Sequence, residues 1–167
     1  MSAEYVAFLV RWLHVLSAVM LAGLLLFVNF VQIPSFAKLV PEDRLVIARV
    51  IGHAALSWLR WSAVAVAVAV TGLALAGHSG YLGDALLLGL ASSNPRDALI
   101  GFGMWIGLIM VAILWLVIWP AMRRFEAADT SPEERGALAG RAIKAARINL
   151  MPPVPLSYAM VGAQNLL

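Results

Sequence analysis

Few residues in this chain are equipped for chemistry, and their scarcity narrows what that chemistry is. There are three histidines (His14, His53 and His78), nine carboxylates and no cysteine. Without thiols there is no disulfide, iron–sulfur ligation, thiolate nucleophile or covalent c-type haem, which leaves non-covalent haem or copper held by His and Met. His14 stands in the most suggestive setting. Arg11 precedes it at i, i+3 on one helix face, while Asn29 and Gln32 return to the azimuths of Arg11 and His14 eighteen residues later. One reading makes the imidazole an axial ligand of a b-type haem, with Arg11 meeting a propionate through a charge-assisted hydrogen bond. Met104, at a similar depth on a later segment, then completes a His/Met pair. The other reading makes His14 a histidine hydrogen-bonded to a neighbouring helix and Met104 a packing residue.

The elements that must position these residues follow from composition. The 167-residue chain is 62% hydrophobic and only 13% charged, with a mean hydropathy of +0.89. A soluble domain carries about 25% charged residues, so this chain has too little polar surface to coat a water-facing globule. Its apolar residues gather in blocks of about 20, the length that crosses a bilayer as helix. The spacing predicts spans over residues 5–33, ended by Pro34, then 54–77, 98–122 and 149–167. Arg123 and Arg124 close the third; Pro152, Pro153 and Pro155 crowd the start of the fourth, with helix expected from about Pro155. The first block lacks a basic leader and exceeds the roughly 7–15 residues of a signal-peptide core, so it reads as a retained helix. The Ala/Val alternation over 63–70 imitates a strand, but it lies inside a span where lipid admits only helices or closed barrels. The expected fold is therefore an all-α four-helix transmembrane bundle in a single membrane domain, with short amphipathic interfacial helices in the linkers.

Two such linkers carry helix signals. Pro41-Glu42-Asp43 opens an amphipathic stretch to about Gly52, and Ser131-Pro132-Glu133-Glu134 is a capping box leading a basic helix to about Arg147. Lys38, Arg44 and Arg49 flank the first linker, and Arg123, Arg124, Arg135, Arg141, Lys144 and Arg147 the third, against Arg96 alone on the opposite side. That asymmetry places linkers one and three in the cytoplasm and both termini outside. The net charge of +3 and pI near 9.8 do not indicate nucleic acid, because the basic residues border apolar spans with no accompanying nucleic-acid motif. The partners implied are the lipid bilayer and other membrane subunits.

Other polar and small residues supply packing expectations. On the second helix His53, Arg60, Thr71 and His78 share an azimuth to within about 20°, and Ala67 and Ala74 on that face would admit a close neighbour. Arg60 is expected to snorkel toward the cytoplasmic surface, with His53 and His78 at the two interfaces. Gly103 and Gly107 form a small-xxx-small pair for helix contact. Trp12, Trp58, Trp61 and Trp119 fit an aromatic belt near the span ends. No carboxylate lies within a span, which argues against a carboxylate proton relay, and nothing suggests hydrolysis.

Several stretches carry a family likeness. Arg11-Trp12-Leu13-His14-Val15, then Gly23, then Phe30-Val31-Gln32-Ile33-Pro34 resembles the membrane domain of bacterial cytochrome-linked urate oxidase. The likeness continues through Trp58-Leu59-Arg60-Trp61 ahead of Thr71-Gly72, Gly107 to Met110 with Trp119-Pro120, and Pro155 to Met160. It covers most of the chain in order. The placement of His14 is also similar, more weakly, to membrane protoporphyrinogen oxidases and copper-resistance membrane proteins. The resemblance implies a bacterial inner-membrane protein tied to electron transfer, through haem. It also implies histidines at the start of the third span and flanking the fourth, where this chain has Gly101, Ile148 and Gln164. A ligand role therefore carries over to His14 alone. The group further has more helices and a cytochrome c domain, so urate oxidation by this chain by itself is not expected. The expected function is a small membrane subunit of an electron-transfer or respiratory assembly. A cofactor-free accessory subunit and a stand-alone haem- or copper-dependent oxidoreductase are the alternatives.

Overall fold

The computed structural model describes residues 2–75, 80, 82–90 and 93–165, and among them there is helix and no strand. Four long helical stretches account for most of the chain. The first begins at α1 (Ala3–Phe27), where the Ser2 hydroxyl accepts from the Tyr5 N–H. It passes through a π-helical segment (Val28–Gln32) into α2 (Ile33–Phe36). Pro34 thus does not end the helix as expected. In the π-turn the Ile33 N–H donates to the Val28 carbonyl, five residues back; a turn so widened accommodates the pyrrolidine ring that an α-turn would exclude. The third stretch repeats the device. The side chain of Asn94 caps α6 (Pro95–Ile113), a π-segment (Leu114–Ile118) follows, and Pro120 lies inside α7 (Trp119–Glu126).

The second stretch joins α3 (Pro41–Ile47), a third π-segment (Ala48–Gly52) and α4 (His53–Leu75) without a turn. The amphipathic linker expected before the second span is therefore its first three turns or so. The stretches Ala3–Phe36, Glu42–Leu73 and Pro95–Glu126 are long and apolar enough to cross a membrane. Between the second and third, the short α5 (Leu82–Leu86) lies on α6 with Ala85 fully enclosed.

The fourth stretch departs most from expectation. The Ser131 hydroxyl accepts from the Glu134 N–H, so the capping box forms and starts α8 (Pro132–Leu150). That helix is no separate linker: Ala142, Ala145, Ala146 and Asn149 are buried among the other helices. It breaks at Met151 and Pro152, where two successive prolines remove N–H donors, and resumes as α9 (Pro153–Asn165). The 13 residues of α9 extend only about 20 Å, short of a ~30 Å hydrocarbon layer. Leu166 and Leu167, at the end of the expected fourth span, lie outside the described residues.

Packing divides the stretches into two pairs. α1 packs along α4, and α6 packs along α9. α8 joins the pairs at one end, wedged against α1 and the Leu114–Ile118 π-segment around Leu25, Leu59, Met110 and Leu114. Asn29 Nδ2 donates to the Leu25 carbonyl and, across the interface, to that of Ala146 (3.2 Å), while Asn149 Nδ2 donates to that of Met110. Arg49 donates to the Glu126 carbonyl and His53 Nδ1 to the Glu126 carboxylate (3.0 Å), so the first and third linkers lie together at this basic end. At the far end, where α8 is absent, the pairs part.

Candidate functional site: a cavity between the helix pairs

Between the parted ends lies an open-sided cavity of about 460 Å³, within the ~300–1,000 Å³ of small-molecule sites. His14, Arg11 and Met104, singled out from sequence, all line it. α1 contributes Arg11, His14 and Val15, one i, i+3, i+4 ridge; α6 contributes Arg96, Ile100 and Met104, an i, i+4 ladder. α9 adds Met160 and Gln164 at the same spacing, and α4 and α5 close the wall with Leu73 and Leu82. The cavity thus gathers one imidazole, two thioethers, two guanidiniums and the carboxamides of Gln164 and Asn165 on walls that are otherwise apolar. The His14 ring lies against the Val66 carbonyl of α4, and its Nδ1 is enclosed without a hydrogen bond of full geometry.

Arg96, Met160 and Gln164 were not singled out as ligand-site residues from sequence. The signal was present for Arg96, which sits two turns before Met104 on the same helix face, but a charge in a first helical turn reads as an interfacial residue. Gln164 occupies one of the places where the urate-oxidase group is expected to have histidine, and it reaches the cavity. Gly101, another such place, cannot accept a side chain without a shift: an added Cβ would run into the Ala85 carbonyl oxygen of α5. Ile148, the third, is exposed on α8.

Arg60 extends toward the basic end, where its guanidinium carbon sits 4.5 Å from the Trp115 ring centre and 3.5 Å from that of Trp119. Trp119 is half-buried beneath it, whereas Trp12, Trp58 and Trp61 are exposed. Ala67 and Thr71 are exposed, and α4 approaches α1 closely at Gly72, against Val10. His78 lies outside the described residues, as does the side chain of Ala74. Gly103 and Gly107 do face a partner helix: a Cβ on Gly103 would collide with the Met160 methyl, and one on Gly107 would touch Leu156.

A second, apolar cavity of about 130 Å³ lies at the basic end, where Val28, Gln32, Ala48, Gly52 and Ile118 bring all three π-segments to its wall. Among the described residues no three His, Cys, Asp or Glu side chains are grouped to hold a metal ion. Copper ligation in the far-end cavity would therefore fall to His14 and the thioethers of Met104 and Met160. No family model, curated protein or solved structure matches this chain.

Proposed function

We propose that this chain is a four-helix membrane subunit of an electron-transfer assembly, a short relative of the urate-oxidase membrane domain, and that the far-end cavity takes one b-type haem through His14. The observation that supports this reading is the convergence of Arg11, His14 and Met104 with Arg96 from two helix pairs on one cavity. The donor set suits the group: an imidazole for the iron, Met104 or Met160 for its other face, and Arg11 and Arg96 for the two propionates. Bound there, the group would supply one-electron transfer. The protein residues would hold it, exclude water from its faces and neutralise its carboxylates. The lysine and arginine asymmetry supports an orientation with the basic end in the cytoplasm of a bacterial inner membrane and the cavity, with both termini, toward the periplasm.

A cofactor-free accessory subunit is the second reading, favoured by the His14 ring lying against the Val66 carbonyl, as a structural histidine would. Visible spectra of the purified native complex, oxidised and dithionite-reduced, separate the two. Under the haem reading, sharp reduced α and Soret bands appear, and His14→Ala removes or shifts them while the helices still insert. A flat wild-type spectrum leaves the accessory reading, and bands unchanged in His14→Ala exclude His14 as ligand.

A further inference from the structure

The outward face of α8 bears three cations that nothing in the fold neutralises. Arg141, Lys144 and Arg147 are exposed, at successive i, i+3 positions opposite the buried Ala142, Ala145, Ala146 and Asn149. Among the described residues none of the three has an ion-pair partner. No carboxylate lies three or four residues from any of them on the helix. Like charges at such spacing repel, and a neighbouring anion relieves that repulsion. Directly below them the same face turns apolar, through exposed Ile148 and Met151, and Val154 and Tyr158 are exposed on the first two turns of α9 beyond the break. A basic head region followed by exposed apolar side chains suits a single lipid molecule set lengthwise.

We propose that the α8–α9 face is a binding site for an anionic phospholipid, its phosphodiester among Arg141, Lys144 and Arg147 and an acyl chain along Ile148, Met151, Val154 and Tyr158. The negative charge relieves the cation stack. The chain also covers the Met151–Pro152 break, where the helix ladder is interrupted.

The test is native mass spectrometry of the full chain in detergent with equimolar phosphatidylglycerol and phosphatidylcholine. Wild type should retain phosphatidylglycerol in preference, and added salt should weaken that preference. Lys144→Gln should lower the preference about fivefold, the effect of one cation near an anionic headgroup. Arg141→Gln/Lys144→Gln/Arg147→Gln should abolish it, and Arg141→Lys/Arg147→Lys should keep it. Lys38→Gln, a basic residue of the first linker outside the α8–α9 face, should leave it unchanged. Equal retention of the two lipids by wild type overturns the proposal. So does an undiminished preference in Lys144→Gln, which tests the site even where the triple variant fails to fold, or a loss of equal size in Lys38→Gln.

Discussion

Three glycines of α6 face neighbours of graded hardness, and a methyl added to each should have three different consequences. At Gly101 the new Cβ meets the carbonyl oxygen of Ala85, backbone of a residue that is itself fully buried. Nothing there yields except α5 as a unit, so Gly101→Ala should lose about 1–3 kcal/mol to overpacking. At Gly103 the obstacle is the terminal methyl of Met160, which can rotate away into the far-end cavity. That cost should stay below about 1 kcal/mol and be largely offset by the ~0.5–1 kcal/mol that alanine gains over glycine in a helix. At Gly107 the nearest atom, Leu156 Cδ1, is 3.7 Å away, an ordinary contact, so only the helix gain of about 0.5–1 kcal/mol remains. The expected order of stability is Gly107→Ala, then Gly103→Ala near wild type, then Gly101→Ala well below. Unfolding in mixed micelles titrated with sodium dodecyl sulfate, followed by far-ultraviolet circular dichroism, reads that order. A Gly101→Ala protein as stable as Gly107→Ala would refute the close approach of α5 to α6.

Two further expectations concern the basic end. Cysteines placed at Ser2 and Ser131 should label oppositely with an impermeant thiol reagent in intact cells, Ser2→Cys reacting and Ser131→Cys protected; equal labelling would refute the assigned orientation. At the turn between α7 and α8, Arg124 donates to Asp129 (2.9 Å) and Glu134 (2.9 Å), and the guanidinium holds the Asp129 carboxyl below its ordinary range. A carboxylate of lowered pKa contributes stability that is complete above its unfolded value and lost as pH falls through the folded one. Asp129→Asn should therefore destabilise this exposed turn slightly at neutral pH, less so in high salt, and match wild type in strong acid. Hydrogen exchange at Ala127 and Thr130 measures it, and a difference that persists in acid would refute the ion-pair account.

The long helices were legible because apolar run length alone reports them, and the polar stripe of α1 was legible because 3.6-residue periodicity survives over Arg11, His14, Asn29 and Gln32. The role of α8 was hidden by its composition. Its buried face is built from Ala142, Ala145 and Ala146, which add little to hydropathy, while Arg141, Lys144 and Arg147 dominate any average. The π-segments left no composition signal either, so Pro34 was read as a terminator. Half of the far-end cavity was foreseeable from α1 and Met104. The remainder depends on how far apart the pairs stand, a property of helix–helix packing between Arg96, Met160 and Gln164 that no single segment encodes. The aromatic partners of Arg60 were not legible, because Trp115 and Trp119 lie fifty-five and more residues further along the chain.

Each π-turn spends one residue more than an α-turn over the same closure, so it behaves as an insertion that the helix has absorbed. Removing one residue between Phe27 and Ile33 would restore ordinary pitch and leave Pro34 in nearly its present phase, whereas closing the π-turn with every residue kept would turn Pro34, and everything up to the first linker, by about 100°. The small apolar cavity would lose part of its wall in the same step. Substitution within these segments is governed by size and polarity, but their residue count fixes the rotational phase between the two ends of each long helix. In two of the three, the proline that follows makes the ordinary pitch costly to recover.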